Sequence, residues 1–257
     1  MGLLDLPGIG FDVVEAGLVA LSLPAWLRIL VWSVISGAVG MWLYRRYSPQ
    51  ARIADLRLQI AGAQHDLAQY DGEFDGLLPL IGRQFRLVFI QMRLTLGATL
   101  IAGLPILLML PWLSNQYSHD LPAPGSAVTL CVEPEAALSL LHLPEVLQPS
   151  NRSAGCKNIV WPSPDAPLTL RDGKHDLLTM PPQPAVPIIH QREWWNILIG
   201  NPLGYLPAQS SVRSIHLDLP EQAIIRWGPA WMRGWEFCYL LGVLVVSLLL
   251  RWRWKLL

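Results

Sequence analysis

Six histidines are the first residues to weigh for chemistry, because imidazole binds metals and transfers protons near neutral pH. They are His65, His119, His142, His175, His190 and His216. No two of them share ligand spacing on one helix. The three cysteines form no CxxC pair and no Cys/His cluster with zinc spacing. "RDGKHDLL" brings Asp172, His175 and Asp176 together, but around a glycine in a pattern that reads as a turn. Ser210-Ser211 lacks the flanking glycines of a nucleophile elbow. The expectation is therefore a protein that is not an enzyme and carries no metal or cofactor. Two cysteines remain: Cys131 and Cys156 fit a disulfide in an oxidising compartment, or two buried free thiols otherwise. A bridge closing a loop of about 25 residues stabilises by roughly 3 kcal/mol in the chain-entropy model. Cys238 lies in an apolar run and is expected to be free, and Asn151-Arg152-Ser153 matches a glycosylation sequon.

The elements that hold these residues follow from composition. Of 257 residues, 52% are apolar and only 15% charged, against about 25% in soluble domains. With 19 basic and 19 acidic residues there is no basic excess to attract nucleic acid, and none is expected as a partner. All the basic residues but Lys157, Lys174 and Lys255 are arginine, a bias that points to a GC-rich bacterial genome. "MGLLDLPGIGFDVVEAG" has no positive n-region, so a cleaved signal peptide is not expected.

A bilayer core about 30 Å thick needs roughly 20 apolar helical residues. Three stretches qualify: Trp26–Tyr44, Leu94–Leu113 and the shorter Trp235–Leu250. Trp26, Trp42, Trp112, Trp231, Trp235, Trp252 and Trp254 fall near their ends, as in the aromatic belts of membrane proteins. Arg45, Arg46, Arg52 and Arg57 follow the first stretch. Arg83, Arg86 and Arg93 precede the second, and Arg251, Arg253 and Lys255 follow the third. Three crossings put all three clusters on one side, which the positive-inside rule makes the cytoplasm. The reading is a multi-pass protein of the bacterial inner (cytoplasmic) membrane, with its N-terminus outside and its C-terminus inside. Residues 1–25 would form an amphipathic segment on the outer surface, with Asp12 and Glu15 suited to the interface. Spans at 26–44, 94–113 and 235–250 would flank a cytoplasmic hairpin at 45–93 and an outer domain at 114–234. Residues 251–257 would be a cytoplasmic tail.

The hairpin is read from its periodicity. After Ser48-Pro49, which is suited to start a helix, Ile53, Leu56, Ile60, Ala63, Leu67 and Tyr70 recur at heptad spacing. Asp71-Gly72 breaks the pattern as a turn. Phe74, Leu78, Ile81, Phe85, Val88 and Met92 then form a second seam, so two antiparallel arms of about 30 Å are expected. Pro79 should kink the second arm. That arm also carries Leu77, Leu80, Leu87, Phe89 and Ile90, more apolar surface than one partner helix covers. The excess suits either the membrane surface or another subunit, or else hydrophobic client segments.

The outer region holds most of the 22 prolines and short strand-like runs. These are "AVTLCVE", "NIVW", "PLTLRD", "AVPIIH", "VRSIHLDL" and "AIIRW". They predict a β-rich domain, a sandwich or partial barrel, with a helix added by "EPEAALSLLHLPEVL". "REWWNILIGNPLGYLP", with Trp194 and Trp195, reads as a surface helix dipping into the outer leaflet or as a partner-binding edge.

This order of span, hairpin with its "YRRYSPQARIADLRLQIAGAQ" opening, span, outer domain and span resembles the core of the YidC-type insertase superfamily. It is most similar to the minimal three-span members related to the insertase subunit of the endoplasmic reticulum membrane complex. The resemblance covers Trp26–Leu113 and Trp235–Leu257. It implies a nucleotide-independent helper of membrane-protein insertion or folding. Such proteins bind an apolar client segment in a lipid-exposed groove that often holds polar or positive side chains. The residues in position for such contacts are Leu77, Leu80, Phe89, Met92 and Arg93 on the second arm, and Ser33, Ser36, Thr95 and Thr99 within the spans. One departure from the pattern is that no charge lies mid-span; Arg28 and Arg93 are the nearest cations. Ser33/Gly37, Ser36/Gly40 and Thr99/Gly103 are small residues at four-residue spacing, which serve close helix packing or a hydrophilic groove. The competing expectation is an accessory subunit of a larger membrane complex, gripping partners through Trp194 and Trp195 as well as the hairpin. Lipid is a partner in either case.

Overall fold

The computed structural model describes residues 2–139, 141–142, 146–149, 155–173 and 175–256. The sequon lies outside them. Among the described residues three helices are long and apolar enough to cross a membrane: α2 (Ala25–Tyr47), α4 (Phe74–Tyr117) and α6 (Trp235–Trp254). Helix α1 (Gly8–Ala20) precedes them, α3 (Gln50–Ala68) lies between α2 and α4, and a short α5 (Ala230–Arg233) precedes α6. A separate β region lies between α4 and α6. The chain divides into two compact units, one of residues 1–28 and 108–238, the other of residues 29–107 and 239–257.

In the helical unit, α2 buries Ser33, Ser36, Gly37 and Gly40 on one face. A Cβ on Gly37 would lie 3.0 Å from Val246 of α6, and one on Gly40 would lie 2.8 Å from the Ala102 carbonyl oxygen of α4. A Cβ on Gly242 of α6 would meet Ser33. Small residues thus let three backbones approach closely, as membrane helices require where lipid supplies no hydrophobic drive. Gly40→Ala, which presses a methyl on a backbone carbonyl that cannot rotate away, should lower stability by about 1–3 kcal/mol. Thermal unfolding in detergent measures it, and an unchanged melting temperature would refute the contact.

The hairpin forms where its spacing predicts, with one seam corrected. Ile53, Leu56 and Ala63 of α3 are buried and Ile60, Leu67 and Tyr70 half-buried, as expected. Arg83 pairs with Asp66 across the two arms at 3.4 Å, an exposed contact. On α4, however, the expected seam is mostly exposed: Phe85 is 72% and Met92 53% accessible, with Phe74, Leu78 and Val88 exposed as well. The inward residues are Leu77, Leu80, Ile81, Gln84, Leu87, Ile90 and Gln91. The reason is that α4 does not end at the hairpin. One helix of 44 residues runs from the turn through the span, uninterrupted at Pro79. Its inner stripe must therefore continue in phase to Leu94, Ala98 and Ala102, where α2 packs. Ser48 also departs from expectation. Pro49 is the N-cap of α3, and Ser48 accepts a hydrogen bond from the Gln50 side chain at 2.8 Å. At the far end of α2, the Arg45 guanidinium lies 5.4 Å from the Trp254 ring. The arginine-rich ends of α2 and α6 therefore sit together.

In the other unit, the described residues form eight strands in two antiparallel sheets. They are β1 (Ala127–Glu133), β2 (Leu141–His142), β3 (Val146–Pro149), β4 (Cys156–Val160), β5 (Leu168–Asp172), β6 (His175–Met180), β7 (Ile188–His190) and β8 (Ser214–Leu217). The larger sheet has the order β3-β4-β1-β8-β7 and the smaller β2-β5-β6. Alternation on β1 turns Val128, Leu130 and Val132 inward, where they meet Leu170, Leu178 and Met180 of the smaller sheet and Ile159 and Ile215 of their own. The two sheets share one core, as in a sandwich. Cys131 and Cys156 are register partners on β1 and β4 and form a disulfide across 4.0 Å between Cα atoms. Cys238 is free.

Two local expectations fail here. In "EPEAALSLLHLPEVL" the described residues form a 3-10 turn at Glu135–Ser139 and then β2 and the start of β3, where a helix was expected. "AIIRW" is not a strand: the Ile224 N–H donates to the Arg233 carbonyl at 2.8 Å, closing a loop instead of a ladder.

Candidate functional site

The histidine and serine candidates resolve into structure. Gly173, with φ of 59°, turns the chain between β5 and β6, and Asp172 faces His175 across that hairpin. The hydroxyls of Ser211 and Ser210 donate to the Asp172 carboxylate at 2.8 and 3.1 Å, and the Ser211 N–H at 2.9 Å. The Ser211 hydroxyl and then its N–H hold this carboxyl below the ordinary aspartate range. In a nucleophilic triad the serine donates to an imidazole; here it donates to the carboxylate directly, which makes a loop clamp. Among the described residues no three His, Cys, Asp or Glu side chains gather as a metal site.

The groove candidates separate into two groups. Ser33 and Ser36 are 0% and 1% accessible, inside the α2 packing face. The Ser33 hydroxyl donates to the Leu30 carbonyl at 2.7 Å. Thr95 is half-buried and donates to carbonyls of its own helix, Gln91 at 2.9 Å and Met92 at 3.0 Å. Thr99 is exposed. The serines are thus sealed between helices and do not line an open polar channel with the threonines.

What α4 exposes is apolar. Phe74, Leu78, Phe85, Val88, Phe89 and Met92 continue along the helix as Leu96, Leu100, Leu104 and Leu107, all exposed. Phe85, Arg86, Val88, Phe89 and Met92 line a shallow concavity of about 510 Å³. Arg93 is exposed beside it. Leu77 and Leu80 fall on the opposite stripe, half-buried against the hairpin partner.

A cluster not anticipated from sequence joins α1 to the end of α4. Glu15 is 7% accessible, pairs with Arg28, and accepts the Tyr117 hydroxyl at 2.6 Å. The Arg28 guanidinium also lies 5.4 Å from the Tyr117 ring centre. One turn earlier, Asp12 accepts from Trp112 Nε1 at 2.7 Å and from Gln116 at 3.4 Å. Phe11 meets the Trp112 ring edge-on at 5.5 Å. Both carboxylates have protein partners, where water or headgroups were expected. The only signal in the sequence was Arg28 at the mouth of an otherwise uncharged span.

On the β domain, Trp194 is 79% accessible, and Trp195, Ile197, Leu198 and Ile199 are exposed around it. The segment Trp194–Ile197 is a 3-10 helix, where a longer surface helix was expected. No protein-family model matches the chain, and no curated protein or solved structure is significantly similar to it.

Proposed function

We propose that this chain is a YidC-like integral membrane protein that assists insertion or folding of other membrane proteins without nucleotide. It would reside in the bacterial inner membrane, N-terminus outside and C-terminus cytoplasmic. The observation that carries this reading is the unbroken exposed apolar stripe on α4, from Phe74 near the hairpin turn to Leu107 within the span. A single rigid helix offering apolar contacts from the aqueous phase into the bilayer gives a client segment a continuous path. Each step exchanges one apolar contact for another, so little desolvation is reversed on the way. Arg83, Arg86 and Arg93 beside the stripe suit the anionic cytoplasmic face.

A second reading rests on a specific observation. Ser33 and Ser36 are sealed in helix packing, so the polar groove that the resemblance implies has no lining from α2. An accessory subunit of a larger membrane complex needs no such groove. Photocrosslinkers at Phe89 and Met92, and separately at Trp194 and Trp195, divide the readings. Many different nascent chains captured at Phe89 and Met92 are expected. One constant protein partner at all four positions would favour the accessory subunit, and a normal membrane proteome after depletion would count against insertion.

A further inference from the structure

We propose that α1 and the Trp194–Ile199 loop form one monotopic paddle, embedded in the lipid leaflet at which α2 begins. The inference rests on polarity that is reversed relative to a soluble protein, and it is independent of any insertase role.

Helix α1 carries no cation, and its two carboxylates are spent on Arg28, Tyr117, Trp112 and Gln116. Its protein side is Gly8, Phe11, Glu15 and Leu18. The outward side is Ile9, Val13, Val14, Ala16, Val19 and Ala20, with Leu3 and Leu6 preceding it, all exposed and apolar; the one exposed polar side chain of the helix, Asp12, accepts from Trp112 Nε1. A helix on a water-facing surface buries its apolar stripe and exposes its charges. This one turns a broad apolar surface outward, with Glu15 buried and Asp12 held by protein donors, as a helix in lipid requires.

The loop repeats the inversion. In "WWNILI" the single polar side chain, Asn196, is 1% accessible. Its carbonyl accepts the Glu193 N–H at 2.7 Å, and its amide donates to the Ile199 carbonyl at 3.1 Å. The polar group thus satisfies the loop's backbone while the apolar side chains project outward. Lipid demands this arrangement, since unpaired backbone groups are costly there.

The two segments are tied into one surface. The Leu4 N–H donates to the Leu198 carbonyl at 2.9 Å, and the Asp5 carboxylate accepts from the Gly200 and Gly2 N–H groups, both at 2.7 Å. The occupant follows from the chain itself. Helix α1 ends at Ala20 and α2 starts at Ala25, so the linker reaches on the order of 15 Å at most. The paddle cannot leave the neighbourhood of the membrane that α2 enters. Without cations, its attachment is apolar and indifferent to lipid charge and salt.

The test uses the full chain in phosphatidylcholine vesicles, with Cys238→Ser and a nitrobenzoxadiazole label on Ile197→Cys. A second sample carries the label on Asp165→Cys, an exposed polar turn of the same domain. Quenching by headgroup-proximal nitroxide lipid should be roughly threefold or more stronger at position 197, matching a depth of about 5–10 Å. It should not change between about 0.05 and about 1 M NaCl. Labels at Val13→Cys should behave alike, which guards against a local defect at one site. Equal iodide quenching at 197 and 165 would overturn the proposal. So would a label shielded from iodide and also from the nitroxide lipid, which would mark a protein interface.

Discussion

Arg28→Ala is expected to remove about 3–5 kcal/mol of folding stability. The loss does not measure the worth of the ion pair. It arises because the carboxylate of Glu15, a residue 7% accessible, stays buried and charged once its guanidinium partner is gone. The double replacement Glu15→Gln with Arg28→Met should recover most of the loss, since no uncompensated charge is left behind. Arg28 Nε already lies buried without an acceptor, so the native pair is itself imperfectly compensated. Tyr117→Phe should cost less, about 1–2 kcal/mol, because one neutral donor is lost while the ion pair stays. Thermal unfolding of the four proteins in one detergent checks the order. If Arg28→Ala melts with the parent, the cluster is not closed as described.

Loss of the Cys131–Cys156 bridge ranks second. The paired change to serine, or reduction, should cost the β domain about 3 kcal/mol by freeing a loop with a sequence separation of 25. The two cysteines face each other across adjacent strands, so the sheet holds them in place whether oxidised or not. Most of the effect therefore lies in the unfolded chain, and unfolding should become faster or more extensive without a changed fold. Calorimetry with and without reductant reads it directly. An identical melting curve would show that the bridge constrains nothing beyond what the ladder already fixes.

The spans were legible because lipid imposes a one-dimensional demand: enough apolar residues in a row, aromatics at the ends. Trp26–Tyr44 was read three residues short of the observed end of α2, and Trp235–Leu250 four residues short of that of α6. The first hairpin seam was legible because α3 has a polar back, so only one stripe is available for burial. The second was not. On α4 both stripes are apolar, and the choice depends on a phase set more than ten residues away by the Gly40–Ala102 approach. The β1 strand was read residue for residue, since "AVTLCVE" alternates cleanly. Strand β6 was missed because "HDLLTM" places two charge-bearing side chains at its start and two leucines side by side, which hides the period of two.

The carboxylates of α1 were misread for a related reason. Sequence shows that Asp12 and Glu15 are polar on an apolar helix, and water or headgroups are the default partners. Arg28 lies 13 positions from Glu15, but Trp112 and Tyr117 are 100 and 102 positions downstream of Asp12 and Glu15, beyond the reach of any local pattern.

That separation sets an order of events during biogenesis. Glu15 precedes Tyr117 by 102 residues. At about 5–20 residues per second, the ribosome needs roughly 5–20 s to supply that hydroxyl after the glutamate has emerged. Arg28 arrives much sooner, so a helix–span pair forms first and waits. Helix α1 reaches its final seat only when the second span is synthesised, and the Gly200 N–H that fastens Asp5 comes later still. The amino terminus of this protein, made first, is among the last parts to be locked in place.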